Sequence, residues 1–243
     1  MLQPAFAKRQ PSETAARYAV YFAPPPGSPL ERFGAVWLGR DCESGAALDQ
    51  PRLSGIAPER LAAVTEAPRH YGFHATLKAP FALSPQHGAA DLLSAVAAFA
   101  NRQAPVAAPP LRLGRLDGFL ALLLAAPSDS VGGLAAACVA AFEGFRASAT
   151  ADDAARRESA GLSRRQRALL QRWGYPYVME EFRFHMTLTA RLDDAESDAI
   201  EAALAPLVAP LCRDPLIIDA VSVFVQDDRA TPFRLAARYA LAG

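Results

Sequence analysis

The chain has 243 residues, of which 51% are hydrophobic and 21% are charged. These values are ordinary for a globular protein, and the length is sufficient to bury a large core. Lysine and arginine together number 25, as do aspartate and glutamate, so the formal net charge is zero. A balanced charge argues against a dedicated duplex-DNA binder, which usually carries a basic excess.

Membrane, disulfide and zinc proteins are disfavoured as well. No run approaches the ~18 apolar residues of a membrane-spanning helix. The three cysteines, Cys42, Cys138 and Cys212, are widely spaced and form no CxxC pair. Residues 1–16 contain charges and no apolar signal segment, so we expect a mobile leader followed by a single bilobal domain over residues 17–243. The expected location is the cytoplasm, and the expected state is a monomer.

The predicted elements mix strands and helices along the whole chain. In chain order they are a strand (17–23), two helices (30–38 and 57–65), a strand (71–79), a helix (89–103), two strands (111–113 and 119–124), a helix (131–145), an arginine-rich helix starting at Ser163, a strand (181–189), a helix (194–211) and two strands (216–225 and 233–241). Pro80 is expected to end the second strand, and Asp117-Gly118 to turn a hairpin.

The same order of elements occurs twice. Each copy has a strand, a helix and a β pair: 73–77, 89–103 and 111–124 in the first, and 184–188, 194–211 and 216–241 in the second. The repeat predicts an α+β protein of two similar lobes related by a pseudo-twofold axis, each with a mainly antiparallel sheet and helices. The two repeated strands are then expected to face a central cleft.

The first repeated strand carries the pattern F-H-x-T-L at residues 73–77, and the second carries it at residues 184–188. Alternate side chains of a strand share a face. In the first copy His74, Thr76 and Lys78 therefore lie on one face, while the apolar residues between them point into the core.

The second copy places Arg183, His185 and Thr187 on one face by the same rule. Each strand thus offers an imidazole, a hydroxyl and a nearby cation. Phosphodiester cleavage needs a base for the nucleophile, an acid for the leaving oxygen and donors for the non-bridging oxygens. Histidine suits the first two roles because its pKa lies near neutrality. The predicted catalytic residues are His74 and His185, and the predicted phosphate-binding residues are Thr76, Thr187, Lys78 and Arg183.

The paired histidines allow other interpretations. A single histidine in a half-buried strand is usually structural, but two of only four histidines in the same five-residue frame are harder to explain in that way. A zinc site would need a third ligand, and the sequence has no HxH, HExxH or cysteine cluster to supply it. We therefore predict catalysis without a metal or another cofactor.

The segment after residue 149 holds further candidates. Its arginines, between Arg156 and Arg172, indicate either a solvated basic face or a flap that adds cations to a phosphate site. Tyr175 and Tyr177 follow in a rigid aromatic turn and are candidate residues of the substrate cleft.

The paired HxT motifs resemble those of the 2H phosphoesterase superfamily, which includes RNA 2′,3′-cyclic phosphodiesterases and 2′-5′ RNA ligase-like proteins. Four flanking segments resemble a bacterial branch of it that is associated with phosphonate utilisation: residues 17–29 (RYAVYFAPPPGSP), 32–41 (RFGAVWLGRD), 71–81 (YGFHATLKAPF) and 181–192 (EFRFHMTLTARL). The resemblance covers almost the whole chain from Arg17 onward. It implies that the two histidines act as acid and base and that the two threonines donate to phosphate oxygens.

The resemblance leaves the substrate open. Breakdown of a carbon–phosphorus bond generates a ribose cyclic phosphate, so the expected substrate is that or a related small phosphoester. The neutral net charge favours a small substrate over long RNA. The alternatives are an RNA 2′,3′-cyclic phosphodiesterase or ligase-like protein acting on an RNA end, and a non-catalytic module that binds a nucleotide or a phosphate.

Overall fold

The computed structural model describes residues 16–148 and 161–243. Within these residues eight strands form one sheet: β1 (Arg17–Phe22), β2 (Ala75–Ala82), β3 (Val106–Leu116), β4 (Phe119–Leu124), β5 (His185–Thr187), β6 (Pro215–Ile218), β7 (Ala220–Gln226) and β8 (Arg234–Ala240). Their order across the sheet is β6-β3-β4-β5-β2-β1-β7-β8. All of the neighbouring pairs are antiparallel. The predicted α+β class with a mainly antiparallel sheet is confirmed.

The helices of the described residues are α1 (Pro29–Leu38), α2 (Pro58–Val64), α3 (Glu66–Tyr71), α4 (Ala89–Ala100), α5 (Asp129–Ala141), α6 (Arg164–Trp173) and α7 (Asp194–Val208). Several begin where a side chain accepts from the first turn: Ser28 caps α1, Ser128 caps α5 and Asp193 caps α7. Ser163 caps α6 in a capping box with Gln166, so the predicted start of the arginine-rich helix is confirmed.

The two faces of the sheet differ. Helices α4, α5 and α7 pack on one face and bury the main core against it. Strand β1 shows the division, because Val20 and Phe22 belong to that core. Ala19, Tyr21 and Ala23 instead join a smaller apolar cluster with Phe224 and Phe233 on the opposite face. The face without the large helices is where the polar residues of β2 and β5 lie.

The sheet consists of two halves of four strands that meet between β5 and β2. The chain crosses between the halves after each long helix. After α4 it crosses to β3, which pairs with β4, whereas after α7 it first adds β6 beside β3 and then crosses to β7, which pairs with β1. The prediction of a single strand over residues 216–225 is wrong. The segment is divided at Asp219 into β6, which pairs with β3 at one edge, and β7, which pairs with β1 and β8 in the other half.

The predicted strand over residues 71–79 is also wrong in its bounds. Tyr71 ends helix α3, Gly72 turns the chain, and β2 runs through Pro80 to Ala82. Proline is tolerated here because the pairing with β1 omits Leu77 before Lys78 and both Ala79 and Pro80 after it, and resumes at Phe81. Strand β5 pairs with β2 only at Ala75, so it requires no N–H from Pro80.

Other predictions hold or lie outside the described residues. Asp117 and Gly118 have φ values of 48° and 88° and join β3 to β4, as the hairpin requires. The leader predicted over residues 1–16 lies outside the described residues except for Ala16, and so do Arg156 and Arg157.

Candidate active site

The two HxT motifs lie side by side in the middle of the sheet. Strands β2 and β5 are neighbours, and Ala75 is paired with Met186 in antiparallel register. Continuing that register by one residue in each direction sets His74 opposite Thr187 and Thr76 opposite His185. Because Ala75 and Met186 are fully buried in the main core, the four polar residues project from the other face.

Both imidazoles are held in the same way. The Nδ1–H of His74 donates to the carbonyl of Gly72 at 2.8 Å, and the Nδ1–H of His185 donates to the carbonyl of Arg183 at 2.7 Å. Each acceptor lies two residues before its histidine. With Nδ1 carrying the proton, each neutral ring presents Nε2 as the atom that can take or give a proton.

Gly72 is required by this arrangement. Its φ of 80° lies in the left-handed region, and a Cβ there would come within 3.0 Å of the Cβ of Cys42. Glycine thus allows the chain to leave α3 and bring its carbonyl to His74.

The two threonines complete the polar row. The hydroxyl of Thr76 lies 3.2 Å from Nε2 of His74, to which it donates when Nδ1 carries the proton. Among the described residues, the hydroxyl of Thr187 has no such partner. Both hydroxyls lie on the face that carries the imidazoles, and each can donate to an oxygen of an anion bound there.

The histidines share an electrostatic environment. Burial, and secondarily a positive charge on His185, lowers the pKa of His74 from 6.5 to about 4, while the hydrogen bond to Gly72 acts in the opposite direction. Burial also lowers the pKa of His185; the bond to the Arg183 carbonyl opposes this, and the guanidinium of Arg183 adds to it. The charge of one imidazole affects the other because both lie on the same face of neighbouring strands.

Tyr21 distinguishes the two histidines. Its ring stacks on His74 with centroids 3.7 Å apart and an angle of 21° between the planes. Tyr21 is paired with Thr76 across β1 and β2, whereas Ala121 is paired with Thr187 across β4 and β5. Burial raises the pKa of Tyr21 well above 10.0, and Tyr71 and Tyr175 raise it further. Sequence analysis missed Tyr21, because only the pairing of β1 with β2 brings it to His74.

Lys78 does not lie on the face of β2 that carries His74 and Thr76, where strand periodicity predicted it. Its side chain is only 3% exposed and donates from Nζ to the carbonyl of Val139 at 3.1 Å and to Glu143 at 3.0 Å, beside helix α5. The cause is the irregular register of β1 and β2, in which Tyr21 is paired with Thr76 but Val20 with Lys78. A β-bulge breaks the alternation that strand periodicity assumes. Lys78 therefore lies on the helix side of the sheet.

Arg183 lies at the edge of the site. Its side chain is about half exposed and forms an ion pair with Asp117 at 2.8 Å. Tyr175 and Tyr177 contact each other edge to face with centroids 5.6 Å apart. Tyr175 is among the groups that raise the pKa of Tyr21, after burial and Tyr71.

Two further observations concern metals and membranes. In the described parts of the chain, no three His, Cys, Asp or Glu side chains are grouped so that they could hold a metal ion. In the same parts, no helix is both long and apolar enough to span a bilayer.

Together these features define an α+β protein whose single antiparallel sheet brings two histidine–threonine strands together at its centre. The family described as "Protein of unknown function (DUF1045)" matches residues 76–234, and the chain belongs to this family. The matched region includes Thr76, His185 and Thr187 and begins two residues after His74.

Two bacterial proteins share much of the sequence. A protein of Janthinobacterium sp. (strain Marseille), named ribose 1,5-bisphosphate phosphokinase PhnN, is 42% identical over 229 residues, which are 93% of this chain and 51% of that protein. A protein of Laribacter hongkongensis (strain HLHK9) with the same name is 36% identical over 220 residues, which are 90% of this chain and 50% of that protein. The chain therefore spans about half the length of these relatives.

Two solved structures resemble the chain distantly. The crystal structure of TT0787 of Thermus thermophilus has 15% identity and a TM-score of 0.44, and the match covers 93% of this chain and 98% of that one. A crystal structure of a phosphoesterase has 14% identity and a TM-score of 0.41, with 94% and 99% covered. Likeness at this level carries no functional information.

Proposed function

We propose that the chain is a phosphoesterase that hydrolyses a cyclic phosphodiester on a ribose by acid–base catalysis with His74 and His185. One observation carries the proposal. Two antiparallel neighbouring strands present the same imidazole and hydroxyl on one face, and both imidazoles donate Nδ1–H to a carbonyl two residues earlier. A phosphate bound between them has one Nε2 on each side, as in-line attack on phosphorus requires.

The pKa values favour one division of roles. Burial lowers the pKa of His74 to about 4, and the stacked Tyr21 ring adjoins this imidazole, so we assign the neutral form to His74 and the proton to His185. In the proposed reaction His74 is the neutral base, and its Nε2 accepts a proton from water as the water oxygen bonds to phosphorus. His185 is the acid, and its Nε2–H protonates the ribose oxygen as the P–O bond of the ring breaks. Thr76 and Thr187 donate to the non-bridging oxygens.

The relatives support a small ribose phosphate as substrate. Their name specifies ribose 1,5-bisphosphate, but only about half of each protein is matched. This chain contains no G-x-x-x-x-G-K-[ST] loop, with which P-loop kinases hold nucleotide phosphates. We therefore assign the matched half a different step on a related sugar phosphate, not phosphorylation. The proposal also holds that catalysis uses no metal.

A turnover screen tests the proposal. Ribose 1,2-cyclic phosphate, nucleoside 2′,3′-cyclic phosphates and an RNA ending in a 2′,3′-cyclic phosphate are offered with EDTA present throughout. We expect hydrolysis of the small substrates at the highest kcat/KM. Preference for the RNA end would instead support the RNA-processing alternative, and tight binding without turnover would support a binding module.

Variants then test the residues. His74→Ala and His185→Ala should each lower kcat by about 10²–10⁴-fold, the usual contribution of a general acid or base. His87→Ala is the matched control, because His87 packs against Phe145 with centroids 4.4 Å apart, away from both motifs. Near-wild-type kcat in either HxT variant would remove that histidine from the mechanism.

A further inference from the structure

Gln226 is a completely buried polar side chain at the end of β7. Its Oε1 accepts a hydrogen bond from Nε of Arg17 at 2.7 Å and another from Nη2 of the same guanidinium. Its Nε2 donates to the carbonyl of Thr231 at 2.7 Å. A guanidinium only donates and a carbonyl only accepts, so these two partners fix which end of the amide is oxygen and which is nitrogen.

His70 is the third partner of this amide. The Nε2 of Gln226 also lies 2.7 Å from Nε2 of His70. Because the amide nitrogen is a donor, the ring nitrogen has to accept, so His70 is neutral and carries its proton on Nδ1. Burial lowers the pKa of His70, and the guanidinium groups of Arg17 and Arg40 lower it further, which also favours the neutral ring.

The contacts around His70 hold the end of α3 against the segment that follows β7. The carbonyl of His70 accepts from the backbone N–H of Phe233 at 2.8 Å. The guanidinium of Arg40 donates to the carbonyls of Arg69 and Phe233, at 3.2 and 2.7 Å. The rings of Tyr71 and Phe233 are stacked with centroids 5.3 Å apart. The last turn of α3 is therefore fixed by backbone and side-chain contacts together.

The same end of α3 leads directly to His74. Tyr71 is the last residue of the helix. The N–H of Gly72 donates to the carbonyls of Pro68 and Arg69, at 3.1 and 3.3 Å. The carbonyl of Gly72 then accepts from Nδ1 of His74 at 2.8 Å. The orientation of the His74 ring therefore depends on where the end of α3 is held.

We infer that Gln226 and His70 are positioning residues for His74: the buried amide holds His70 as the neutral Nδ1–H tautomer, and His70 anchors the helix end whose carbonyl orients the His74 ring. The role of His74 as a base rests on the proposed function. The arrangement also predicts an effect of pH that is separate from the two HxT histidines. A proton on Nε2 of His70 would face an N–H of Gln226, so the hydrogen bond between them would be lost.

Substitutions at His70 test the role of the acceptor. His70→Leu has no acceptor and should lower kcat by about 10- to 100-fold with little change in KM, because a displaced base slows the reaction while the threonine donors stay in place. His70→Gln offers an amide oxygen that accepts at any pH. It should retain most of the wild-type kcat and lose less activity than wild type on the acid side of the pH profile. His87→Leu removes a histidine that packs against Phe145, away from both motifs, and should leave kcat unchanged.

NMR spectroscopy keeps this test separate from turnover. The nitrogen shifts of the His70 ring in wild type should show the Nδ1–H tautomer. The Nδ1–H proton of His74 should shift upfield in His70→Leu but not in His70→Gln or His87→Leu.

Three results would each overturn the inference: a wild-type His70 ring that is charged or protonated on Nε2 at neutral pH, an unchanged His74 signal or kcat in His70→Leu, or equal losses in His70→Gln and His70→Leu. The first needs no variant, so it decides even if His70→Leu fails to fold. If no cyclic phosphate is hydrolysed but the His74 signal responds as expected, the proposed reaction fails and the positioning of His74 stands.

Discussion

The low pKa of His74 predicts how the stability of the protein depends on pH. The folded protein holds the pKa of His74 at about 4, whereas the ordinary value, which applies to the unfolded chain, is 6.5. Between these two values the unfolded chain binds a proton that the folded protein excludes. The contribution of His74 to the free energy of unfolding is therefore complete above about pH 6.5, and it is lost progressively as the pH is lowered towards 4.

The magnitude follows from the same two values. At about 1.4 kcal/mol per pH unit, the difference corresponds to about 3 kcal/mol of stability lost over this range. Burial is the main cause of the low pKa, so the effect is a property of the folded protein and does not depend on catalysis.

Urea unfolding followed by circular dichroism at about pH 7.5, 5.5 and 4.5 measures this loss. His74→Asn keeps a donor for the Gly72 carbonyl but does not titrate, so its stability should fall less steeply with pH than that of wild type. His185 also titrates with a lowered pKa, and it contributes equally to both proteins. An NMR titration of the His74 ring gives the pKa directly, and His185→Asn should raise it by removing a nearby charge. A His74 pKa near 6.5 in the folded protein, or equal pH slopes for wild type and His74→Asn, would refute the reasoning.

Three other outcomes are expected. Thr187→Val keeps the shape but removes the donor and should lower kcat by about 10²–10³-fold, whereas a Thr187→Ser variant should retain most of the activity. Lys78→Met should lower stability to urea by about 1–3 kcal/mol, because the substitution removes the buried hydrogen bonds to Val139 and Glu143. It should not raise KM, because Lys78 lies on the helix side of the sheet, away from the candidate site. A selective rise in KM would contradict this placement of Lys78. The pH profile of kcat/KM should be bell-shaped with its optimum below pH 6.5. The profile of kcat should be shifted to higher pH, because a bound phosphate raises the pKa of both histidines. Loss of activity with EDTA and recovery with Zn²⁺ would show a metal mechanism instead.

Local periodicity was enough to predict the polar face of the site. In β2 and β5 the central residues Ala75 and Met186 are buried, and the histidine and threonine on either side of each are not. A period of two needs no knowledge of the partner strand, so it can be read from the sequence. The chemical roles of these residues stay predictions.

Features that depend on distant partners could not be predicted in this way. The bulge that turns Lys78 to the helix side arises from the pairing of β1 with β2, which are separated by more than 50 residues. The apolar run before and after Asp219 has the composition of one strand, but its two parts pair with strands in opposite halves of the sheet. Pro80 lies within β2 because neither neighbouring strand, β1 or β5, is paired with β2 at this residue, so no backbone N–H is required there. In each case the structure depends on pairing with a strand that is distant in the sequence, and a local sequence pattern contains no information about that strand.

The two halves of the sheet contain the same motif, but acid–base catalysis needs two histidines in different protonation states. The structure supplies a difference at one pair of equivalent positions, where Tyr21 lies beside Thr76 and Ala121 beside Thr187. The tyrosine ring covers His74 and excludes water from it, which disfavours the imidazolium. Alanine at 121 offers no ring to stack on His185, and Phe119 contacts that imidazole only at a tilt, with centroids 5.8 Å apart. These contacts disfavour a charge on His74, so the proposed mechanism gives the proton to His185. In the proposed mechanism, a single difference beside two identical motifs sets which histidine is the base and which is the acid.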